Sequence, residues 1–404
     1  MLALSLTLWV LASWRSGSSP LLATPAPPLE AEFSSQASLP VFLLQLSQDT
    51  ASVCNSLTPG TAGSIIFDDG HRGNSSMFFW FFESKNNPAL DPVILWMIGG
   101  PGALSVGYRN LMELGPCRIA LEGGYTVPNE FGWNANVTVL FFYGGLWVPA
   151  LAATILELQA DGNTLEVQGF SSGSALSLNS SPSQPTINLK GVMIGNGLIW
   201  RSIQNLGFFE TACLAGMKSS LCKEAEEKCS AIGQVITGEK YRNLYDIWLR
   251  CDNPEACYTE MQAIDEYLNQ DAVKEALGVP LTERFQGVLL DVFKQWEELG
   301  DLWRASDGYV NYLLESSICV FIYVGDKDLY CNAAGMRQLV DHGLDWHGQS
   351  FIWFWELVPW YVEAKVAGRW KAYEPLTYAE VAGAGYLAPF DRLLELLTLI
   401  NVWI

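Results

Sequence analysis

The segment Thr138-Val-Leu-Phe-Phe-Tyr-Gly-Gly-Leu-Trp-Val-Pro-Ala-Leu-Ala152 contains the pattern that decides the fold. Val137 to Tyr143 is an apolar run of β-branched and aromatic residues, which predicts a buried strand. Gly144 and Gly145 permit a tight turn, and from Trp147 the apolar residues recur at helical spacing. A buried strand, a glycine turn and a helix in this order predict an α/β architecture.

This strand–turn–helix frame presents the nucleophile in one class of α/β enzymes. The strained turn there carries Ser or Cys, because it pushes a nucleophilic atom out of the sheet. Here the turn begins at Phe142, whose phenyl ring cannot attack a carbonyl carbon. Taken alone, the segment therefore favours a buried strand followed by a core helix.

Length and composition indicate a globular protein with an acidic surface. The 404 residues are 50% apolar and 16% charged, enough for a full core in one large domain or two smaller ones. With 43 acidic against 23 basic residues the net charge is −20, which disfavours nucleic acids and anionic membranes as partners. A zinc site is not expected, because the chain has three histidines and no Cys-x-x-Cys pair.

The N-terminus has the pattern of a secretory leader over residues 1–20. A short apolar run, Leu2 to Ala12, precedes sequence rich in Ser, Gly and Pro. The run is too short to span a bilayer and is typical of a signal peptide, although its positive n-region is missing. Cleavage is expected between Ser16 and Ala23, and no later segment has the apolar length of a membrane helix.

Cysteines and glycosylation sequons also fit the secretory pathway. Five of the nine cysteines lie within Cys213 to Cys257, a clustering typical of a disulfide-stapled insertion. Sequons begin at Asn74, Asn136 and Asn179. Asn136 adjoins the predicted buried strand, where a glycan would be hard to accommodate.

A glycine-rich loop follows a second predicted strand. Asp91-Pro-Val-Ile-Leu-Trp96 predicts that strand, and it runs into Gly99-Gly-Pro-Gly102, whose backbone amides are exposed enough to face a substrate. Upstream, Gly63 to Phe82 predicts two strands around the turn at Asp68-Asp-Gly70.

Several motifs of the chain occur in the same order in one known family. They are Phe78 to Gly102, Glu113-Leu-Gly-Pro116, Trp133 to Val137, Tyr143 to Ala152, Leu189 to Leu198, Tyr245-Asp-Ile247, Val320 to Asp328 and Pro389-Phe-Asp391. The chain resembles the serine carboxypeptidases, in particular those of the carboxypeptidase Y type, over nearly all of residues 33–404. The resemblance implies an α/β-hydrolase fold: a mostly parallel central sheet with helices on both faces and a helical insertion, residues 199–318, over the active-site face.

The resemblance also implies where the catalytic groups belong. The family uses a serine nucleophile, a histidine base, an aspartate that orients the histidine, and two backbone amides for the oxyanion. These positions correspond to Phe142, Tyr386 and Asp328, with the amides of Gly100 and Tyr143. Two of the three triad side chains are therefore absent, and a phenol with a pKa near 10 is a poor base at neutral or acidic pH.

The site for the substrate's terminal carboxylate has changed as well. Glu113 stands where the family keeps one carboxyl of this network. The family's asparagine before the glycine loop is Ile98 here, and its glutamate before the nucleophile is Phe141.

The cysteine pattern of the family implies two disulfides and the loss of a third. The implied pairs are Cys251 with Cys257 and Cys213 with Cys222. Cys54 resembles a family cysteine whose partner would lie between Thr282 and Leu290. This chain has no cysteine there, so the bridge of Cys54 is expected to be lost.

A family segment is missing between Phe141 and Phe142. A strand–helix–strand unit needs roughly 30 residues or more, whereas here Val139-Leu-Phe141 passes directly into Tyr143-Gly-Gly145. The fusion predicts the loss of one helix, the merging of two neighbouring strands and a gap in the sheet. An incorrect gene model would have the same appearance, and the sequence does not distinguish the two.

Two further features are candidates for catalytic groups. Gly169-Phe-Ser-Ser-Gly173 satisfies the Gly-x-Ser-x-Gly pattern, but polar sequence follows it, so a surface loop is preferred over a nucleophile at Ser171. His342 and His347 lie where the family has no catalytic histidine.

These observations predict a serine carboxypeptidase homologue of the secretory pathway, either vacuolar/lysosomal or extracellular, without peptidase activity. The family activity is the release of C-terminal residues through an acyl-enzyme. The expected partners are therefore peptide or protein C-termini, with no cofactor or metal. Two alternatives stay open: a peptide-binding pseudoenzyme, and a non-functional paralogue or faulty gene model.

Overall fold

The computed structural model describes most of the chain. It covers residues 7–13, 42–47, 50, 52–54, 60–68, 74–98, 102–122, 124–142, 148–160, 167–171, 174–175, 187–208, 210–211, 243–251, 257–300 and 304–404.

The strands in chain order are β1 (Thr7–Ser13), β2 (Phe42–Ser47), β3 (Gly60–Asp68), β4 (Asn74–Phe82), β5 (Val93–Ile98), β6 (Cys117–Ile119), β7 (Thr126–Pro128), β8 (Thr138–Phe142), β9 (Val167–Ser171), β10 (Ser174–Ala175), β11 (Asn188–Gly195), β12 (Cys319–Gly325), β13 (Val358–Val362), β14 (Lys365–Tyr373) and β15 (Leu376–Val381). The α-helices are α1 (Val148–Ala160), α2 (Arg201–Gln204), α3 (Thr259–Leu268), α4 (Asp271–Leu277), α5 (Leu290–Glu298), α6 (Asp307–Glu315), α7 (Ala333–Gln338), α8 (Gln349–Phe354), α9 (Ala388–Asp391) and α10 (Leu393–Trp403). Two π-helices, Ser105–Leu114 and Leu339–Gly343, and two 3-10 helices, Trp133–Ala135 and Asn205–Gly207, complete the described elements.

One mixed sheet organises the described residues. Its strand order is β10-β9-β2-β3-β4-β8-β5-β1-β11-β12-β15-β14-β13, and β6 pairs with β7 separately. From β8 to β15 the six central strands β8, β5, β1, β11, β12 and β15 are parallel. Their carboxyl ends therefore share one edge, which is where ligand sites of open α/β sheets lie.

Strand β12 shows why the sheet is buried on both faces. Its apolar side chains alternate, so that Val320, Ile322 and Val324 enter one hydrophobic cluster and Phe321 and Tyr323 enter the other. A parallel sheet with helices on both sides has this near-continuous apolar character. The π-helix Ser105–Leu114 and α10 pack on one face, and α1, α6 and α7 pack on the other.

The region between β11 and β12 is helical in its described part. Helices α2 to α6 lie there, and no strand occurs among the described residues of 199–318. Helix α4 ends at Gly278, whose φ of 68° is the left-handed conformation that favours glycine at a helix C-terminus. Helix α3 packs against the π-helix Ser105–Leu114.

At the fused junction the structure has a single strand, β8, which contains both Phe141 and Phe142, in agreement with the predicted merging; the predicted gap in the sheet is wrong. β8 ends at Phe142 and α1 begins at Val148, while β1 from the N-terminus lies between β5 and β11. The predicted gap is therefore occupied. Unpaired strand edges in the middle of a sheet would leave buried N–H and C=O groups without hydrogen bonds, and pairing with β1 removes that cost.

The disulfides differ from expectation at one place. Cys54 pairs with Cys117, with Cα atoms 5.6 Å apart, so the family bridge toward residues 282–290 is lost as expected, but Cys54 forms a disulfide with a partner that was not predicted. The sequence gives no sign that these two residues, 63 positions apart, lie side by side. The Cys251–Cys257 disulfide is confirmed, and Cys213 and Cys222 lie outside the described residues.

The predicted sequons occupy different environments. Asn74 begins β4, and Asn179 lies outside the described residues. The Asn136 side chain is exposed and donates from Nδ2 to Oδ1 of Asn401 at 3.3 Å. Thr138 of the same sequon is buried, and its Oγ1 accepts the Ser84 N–H at 3.1 Å. None of the helices within the described ranges is long and apolar enough to cross a membrane.

Candidate active site

Three loops meet at the carboxyl edge of the parallel strands. Asn196 directly follows β11, Asp328 lies three residues after β12, and Tyr386 lies between β15 and α9. Because β11, β12 and β15 are consecutive neighbours in the sheet, these loops are brought together in space. The structure thus groups two of the predicted site residues, Asp328 and Tyr386.

The Asp328 carboxyl is fully buried and held by three donors. Its Oδ1 accepts the N–H groups of Tyr330 at 2.9 Å and Cys331 at 3.2 Å, and its Oδ2 accepts Nδ2 of Asn196 at 2.9 Å. Burial nevertheless raises the pKa of Asp328 to about 7, because removal from water disfavours the charged form more than these bonds favour it.

Asn196 connects the aspartate to the loop of Tyr386. Its backbone has φ of 47°, a left-handed conformation that Asn tolerates better than most residues. In this conformation the side-chain Nδ2 reaches both Asp328 and the carbonyl oxygen of Gly385, the latter at 3.3 Å. The sequence analysis did not identify Asn196, although an asparagine between two glycines after an apolar run was a signal for such a turn.

Tyr386, at the position of the family base, is part of a packed aromatic group. Its side chain is buried, the Arg109 guanidinium lies 5.3 Å from its ring centroid, and the Tyr245 ring lies 5.4 Å away. The backbone N–H of Tyr386 donates to the Tyr245 carbonyl oxygen at 2.6 Å. A phenol held between a cation and another ring serves as a packing element, since the cation is attracted to its face.

Arg109 and Glu113 form a buried ion pair on the π-helix Ser105–Leu114. Arg109 Nη1 contacts Glu113 Oε1, and both side chains are inaccessible to solvent. Burial raises the pKa of Glu113 to about 7, although Arg109 acts in the opposite direction. The second oxygen of Glu113 and the amide of Asn110 are buried without hydrogen-bond partners within the described structure. π-helices are frequent at functional sites, but no sequence signal distinguished this one from an α-helix.

A third carboxyl, Asp391, completes what we call the acid cluster, which consists of Glu113, Asp328 and Asp391. Asp391 Oδ2 accepts the Gly385 N–H at 2.7 Å. Burial raises the pKa of Asp391 to about 7 as well. Gly385, next to Tyr386, thus links to two members of the cluster, directly to Asp391 and through Asn196 to Asp328.

Phe142, at the predicted nucleophile position, does not belong to this group. It ends β8 and its backbone pairs with Phe79 of β4. Strands β5, β1 and β11 lie between β8 and β12, so four strand spacings of about 4.8 Å, roughly 19 Å in all, separate β8 from β12. Phe141 is buried in the same strand, packed edge-on against Phe82, and Ile98 ends β5. Gly100 and Tyr143 lie outside the described residues.

The other catalytic candidates are remote or exposed. Ser171 ends β9 near the far edge of the sheet, where its backbone pairs with Ser174, so the described part of the Gly-x-Ser-x-Gly motif, residues 169–171, is a strand rather than the expected loop. His342 is exposed beside Trp353, and the exposed His347 contacts Glu315 through Nδ1 at 3.1 Å. Across the described ranges, no group of three or more metal-ligating side chains is placed to hold a metal ion.

Comparison with known proteins gives consistent matches. The family profile described as serine carboxypeptidase matches residues 65–142 and 143–404. The two segments meet after Phe142, within one residue of the junction where the sequence analysis placed the missing segment. Carboxypeptidase Y of Candida albicans and that of Saccharomyces cerevisiae are each 30% identical, over 84% and 81% of this chain and 72% of their own lengths. Carboxypeptidase Y of Schizosaccharomyces pombe is 29% identical over 84% of this chain, which spans 40% of that protein's length.

A solved structure shows the same fold. It is the crystal structure of Kex1(delta)p, a prohormone-processing carboxypeptidase from Saccharomyces cerevisiae, with a TM-score of 0.67 and 19% sequence identity. The match covers 88% of this chain and 94% of that one. The predicted α/β-hydrolase fold is therefore confirmed.

Proposed function

The chain belongs to the serine carboxypeptidase family, and on that premise we propose that it is a member without carboxypeptidase activity. The packing of Tyr386 carries this proposal. A general base must exchange a proton with a nucleophile near the operating pH. Tyr386 is a phenol buried between the Arg109 guanidinium and the Tyr245 ring, and a phenol has a pKa near 10.

The environment of Asp328 supports the same proposal. An orienting aspartate acts by accepting a hydrogen bond from the base. Both oxygens of Asp328 accept hydrogen bonds from Asn196 and from the backbone of Tyr330 and Cys331. The retained aspartate therefore has a structural role in holding the loops together, which explains its presence without a histidine.

The test uses activity and covalent labelling together. We expect the purified protein neither to hydrolyse a blocked dipeptide between pH 4.5 and 7.5 nor to react with a fluorophosphonate probe, with carboxypeptidase Y of Saccharomyces cerevisiae as the positive control. Hydrolysis with stoichiometric labelling would overturn the proposal. A label located on Ser171 would assign the nucleophile to the edge motif instead.

Peptide binding without hydrolysis is a second candidate, favoured by the unpartnered polar atoms on the π-helix. Within the part of the chain that the structure describes, Glu113 Oε2 and the Asn110 amide are buried without hydrogen-bond partners, and such groups cost free energy unless something bonds to them. A protonated Glu113 and the Asn110 amide are donors suited to a terminal carboxylate, and Arg109 supplies a positive charge.

This candidate predicts pH-dependent binding. Because burial raises the pKa of Glu113 to about 7, Glu113 loses its donor proton above that pH, and a carboxylate ligand then meets a like charge. We expect a blocked dipeptide with a free carboxylate to bind more tightly at pH 5 than at pH 8 in calorimetric titrations. The matched C-terminal amide should not bind. Equal affinity for acid and amide would exclude this candidate.

We propose the secretory pathway, with a vacuolar/lysosomal or extracellular destination, as the location. The Cys54–Cys117 and Cys251–Cys257 disulfides support an oxidising compartment. A vacuolar serine-type carboxypeptidase of Saccharomyces cerevisiae is 28% identical over 83% of this chain. Non-reducing peptide mapping of the protein from its native source tests this proposal, since free thiols at all four cysteines would contradict it.

A further inference from the structure

One of the inner strands of the sheet comes from the first residues of the sequence. β1 (Thr7–Ser13) lies between β5 and β11 and is parallel to both. Six of its residues, Leu8 to Ser13, pair with Val93 to Ile98, and six, Thr7 to Ala12, pair with residues from Asn188 to Ile194. We call the space between β5 and β11 the strand slot.

The strand slot needs an occupant of this kind. Without β1, β5 and β11 would stand two strand spacings apart, about 10 Å, and could not pair with each other in place. Each would present a row of unpaired N–H and C=O groups in the middle of the sheet. The neighbouring side chains Ile94, Met97, Val192 and Ile194 are each at most 3% exposed, so the slot lies within the core.

The sequence of β1 fits the slot. Thr-Leu-Trp-Val-Leu-Ala-Ser contains β-branched, aromatic and aliphatic residues, with no charge, Gly or Pro, as expected for a central parallel strand. Residues 14–41 provide 28 residues between β1 and β2. Five strand spacings, about 24 Å, separate these two strands in the sheet order, and an extended chain of that length reaches several times further.

We propose that Thr7–Ser13 is a permanent structural strand, which fills the slot created by the missing strand–helix unit, so that the folded protein retains this segment instead of shedding it as a leader. Cleavage between Ser16 and Ala23 would remove the strand and open the centre of the sheet. In the folded protein these residues are therefore a strand and not a cleaved leader, so the secretory location proposed above requires export without cleavage of this segment.

The first experiment cuts the chain while keeping all of it present. A site-specific protease sequence is inserted after Ser19 in the full-length protein, which is folded and then cleaved. We expect the N-terminal fragment to co-elute with the remainder in gel filtration and to separate only in denaturant. Release of the fragment with no change in the melting temperature of the remainder would overturn the proposal.

Two proline variants provide the matched comparison. Val10→Pro removes the backbone N–H of a residue in the centre of β1, a strand that pairs with both β5 and β11. Leu22→Pro changes a residue that is not part of β1. We expect cleaved Val10→Pro to release the fragment and the uncut variant to melt at least 5 °C lower than Leu22→Pro. Identical behaviour of the two variants would contradict the proposal.

Hydrogen exchange gives a readout that is independent of cleavage. In the uncut protein the amides of Leu8 to Ala12 should exchange more than about a hundredfold more slowly than in an isolated peptide, like those of β5. The opposite outcome is tested by measuring the intact mass of the folded protein purified from a secreting host, which shows whether the N-terminal segment has been removed. A cooperatively melting protein that begins after Ser16 would show that the slot does not need β1.

Discussion

Restoring the triad side chains should not restore the enzyme. The change is the double substitution Phe142→Ser with Tyr386→His, which supplies a hydroxyl and an imidazole at the two family positions while Asp328 remains. A nucleophile and its base must approach within about 3 Å for proton transfer. The strand order instead puts residue 142 on β8, five spacings or roughly 24 Å from β15, the strand that precedes residue 386.

The magnitude follows from that separation. A displacement of about 1 Å can cost roughly a hundredfold in rate, and triad members act as a unit, so a serine this far from its base contributes nothing to turnover. The second change also removes a ring that packs on Arg109 and Tyr245. Loss of that contact costs about 0.5–2 kcal/mol, which lowers the melting temperature but leaves the fold intact.

The assay compares the double variant, both single variants and the parent. Hydrolysis of a blocked dipeptide is measured at pH 5, fluorophosphonate labelling is mapped by mass spectrometry, and thermal melting confirms that each protein is folded. We expect all four to stay at background while carboxypeptidase Y of Saccharomyces cerevisiae reacts. Turnover tenfold above the parent, or a label on residue 142, would refute the strand order on which this reasoning depends.

Three further predictions concern stability. Burial raises the pKa of each member of the acid cluster to about 7, so proton binding stabilises the folded state fully below about pH 4, and this stabilisation is lost as the pH rises through 7. Each carboxyl contributes about 1.4 kcal/mol per pH unit between its unfolded and its folded pKa, so from pH 5 to pH 8 one group loses about 3 kcal/mol and three independent groups lose about 8 kcal/mol. We therefore expect urea titrations to give a free energy of unfolding about 3–8 kcal/mol lower at pH 8 than at pH 5; equal values would contradict the burial of these groups. Arg109→Ala leaves Glu113 without its cation and should cost about 3 kcal/mol at pH 7, whereas Arg369→Ala should cost less than about 1 kcal/mol, because Arg369 is half-exposed and Glu380 keeps Arg337; similar losses would argue against a buried pair. Removing the Cys54–Cys117 disulfide by paired serine substitutions should cost about 4 kcal/mol, against about 2 kcal/mol for Cys251–Cys257, because the loops close over 63 and 6 residues; the reverse order in denaturant titrations would count against the new pairing.

The sequence predicted those parts of the fold whose signals are local. The apolar run before Asp328 ends in a tight turn, and this is sufficient to place a strand and the carboxyl after it. The Cys251–Cys257 bridge was also predicted, through the resemblance to the serine carboxypeptidases. Family motifs then supplied the order in which the remaining strands occur.

Contacts between residues far apart in the chain could not be predicted from a single sequence. Nothing local to Cys54 indicates that Cys117 lies beside it, and nothing local to Arg109 indicates that it faces Tyr386. The apolar run of Thr7–Ser13 is equally typical of a leader and of a buried strand, since both need a short stretch without charge. Only the strand pairing distinguishes them, and this pairing depends on residues far along the chain.

The strands that flank β1 in the sheet are synthesised long after β1 itself. Leu11 pairs with Trp96 and with Met193, which are made 85 and 182 residues later. At about 5–20 residues per second, the second partner emerges roughly 10–35 s after the strand itself. Throughout that interval Thr7–Ser13 is an uncharged apolar segment without the two strands that flank it in the folded sheet. Chaperones and targeting factors therefore encounter this segment before β5 and β11 are available to pair with it. The yield of folded protein then depends on how quickly those factors release it.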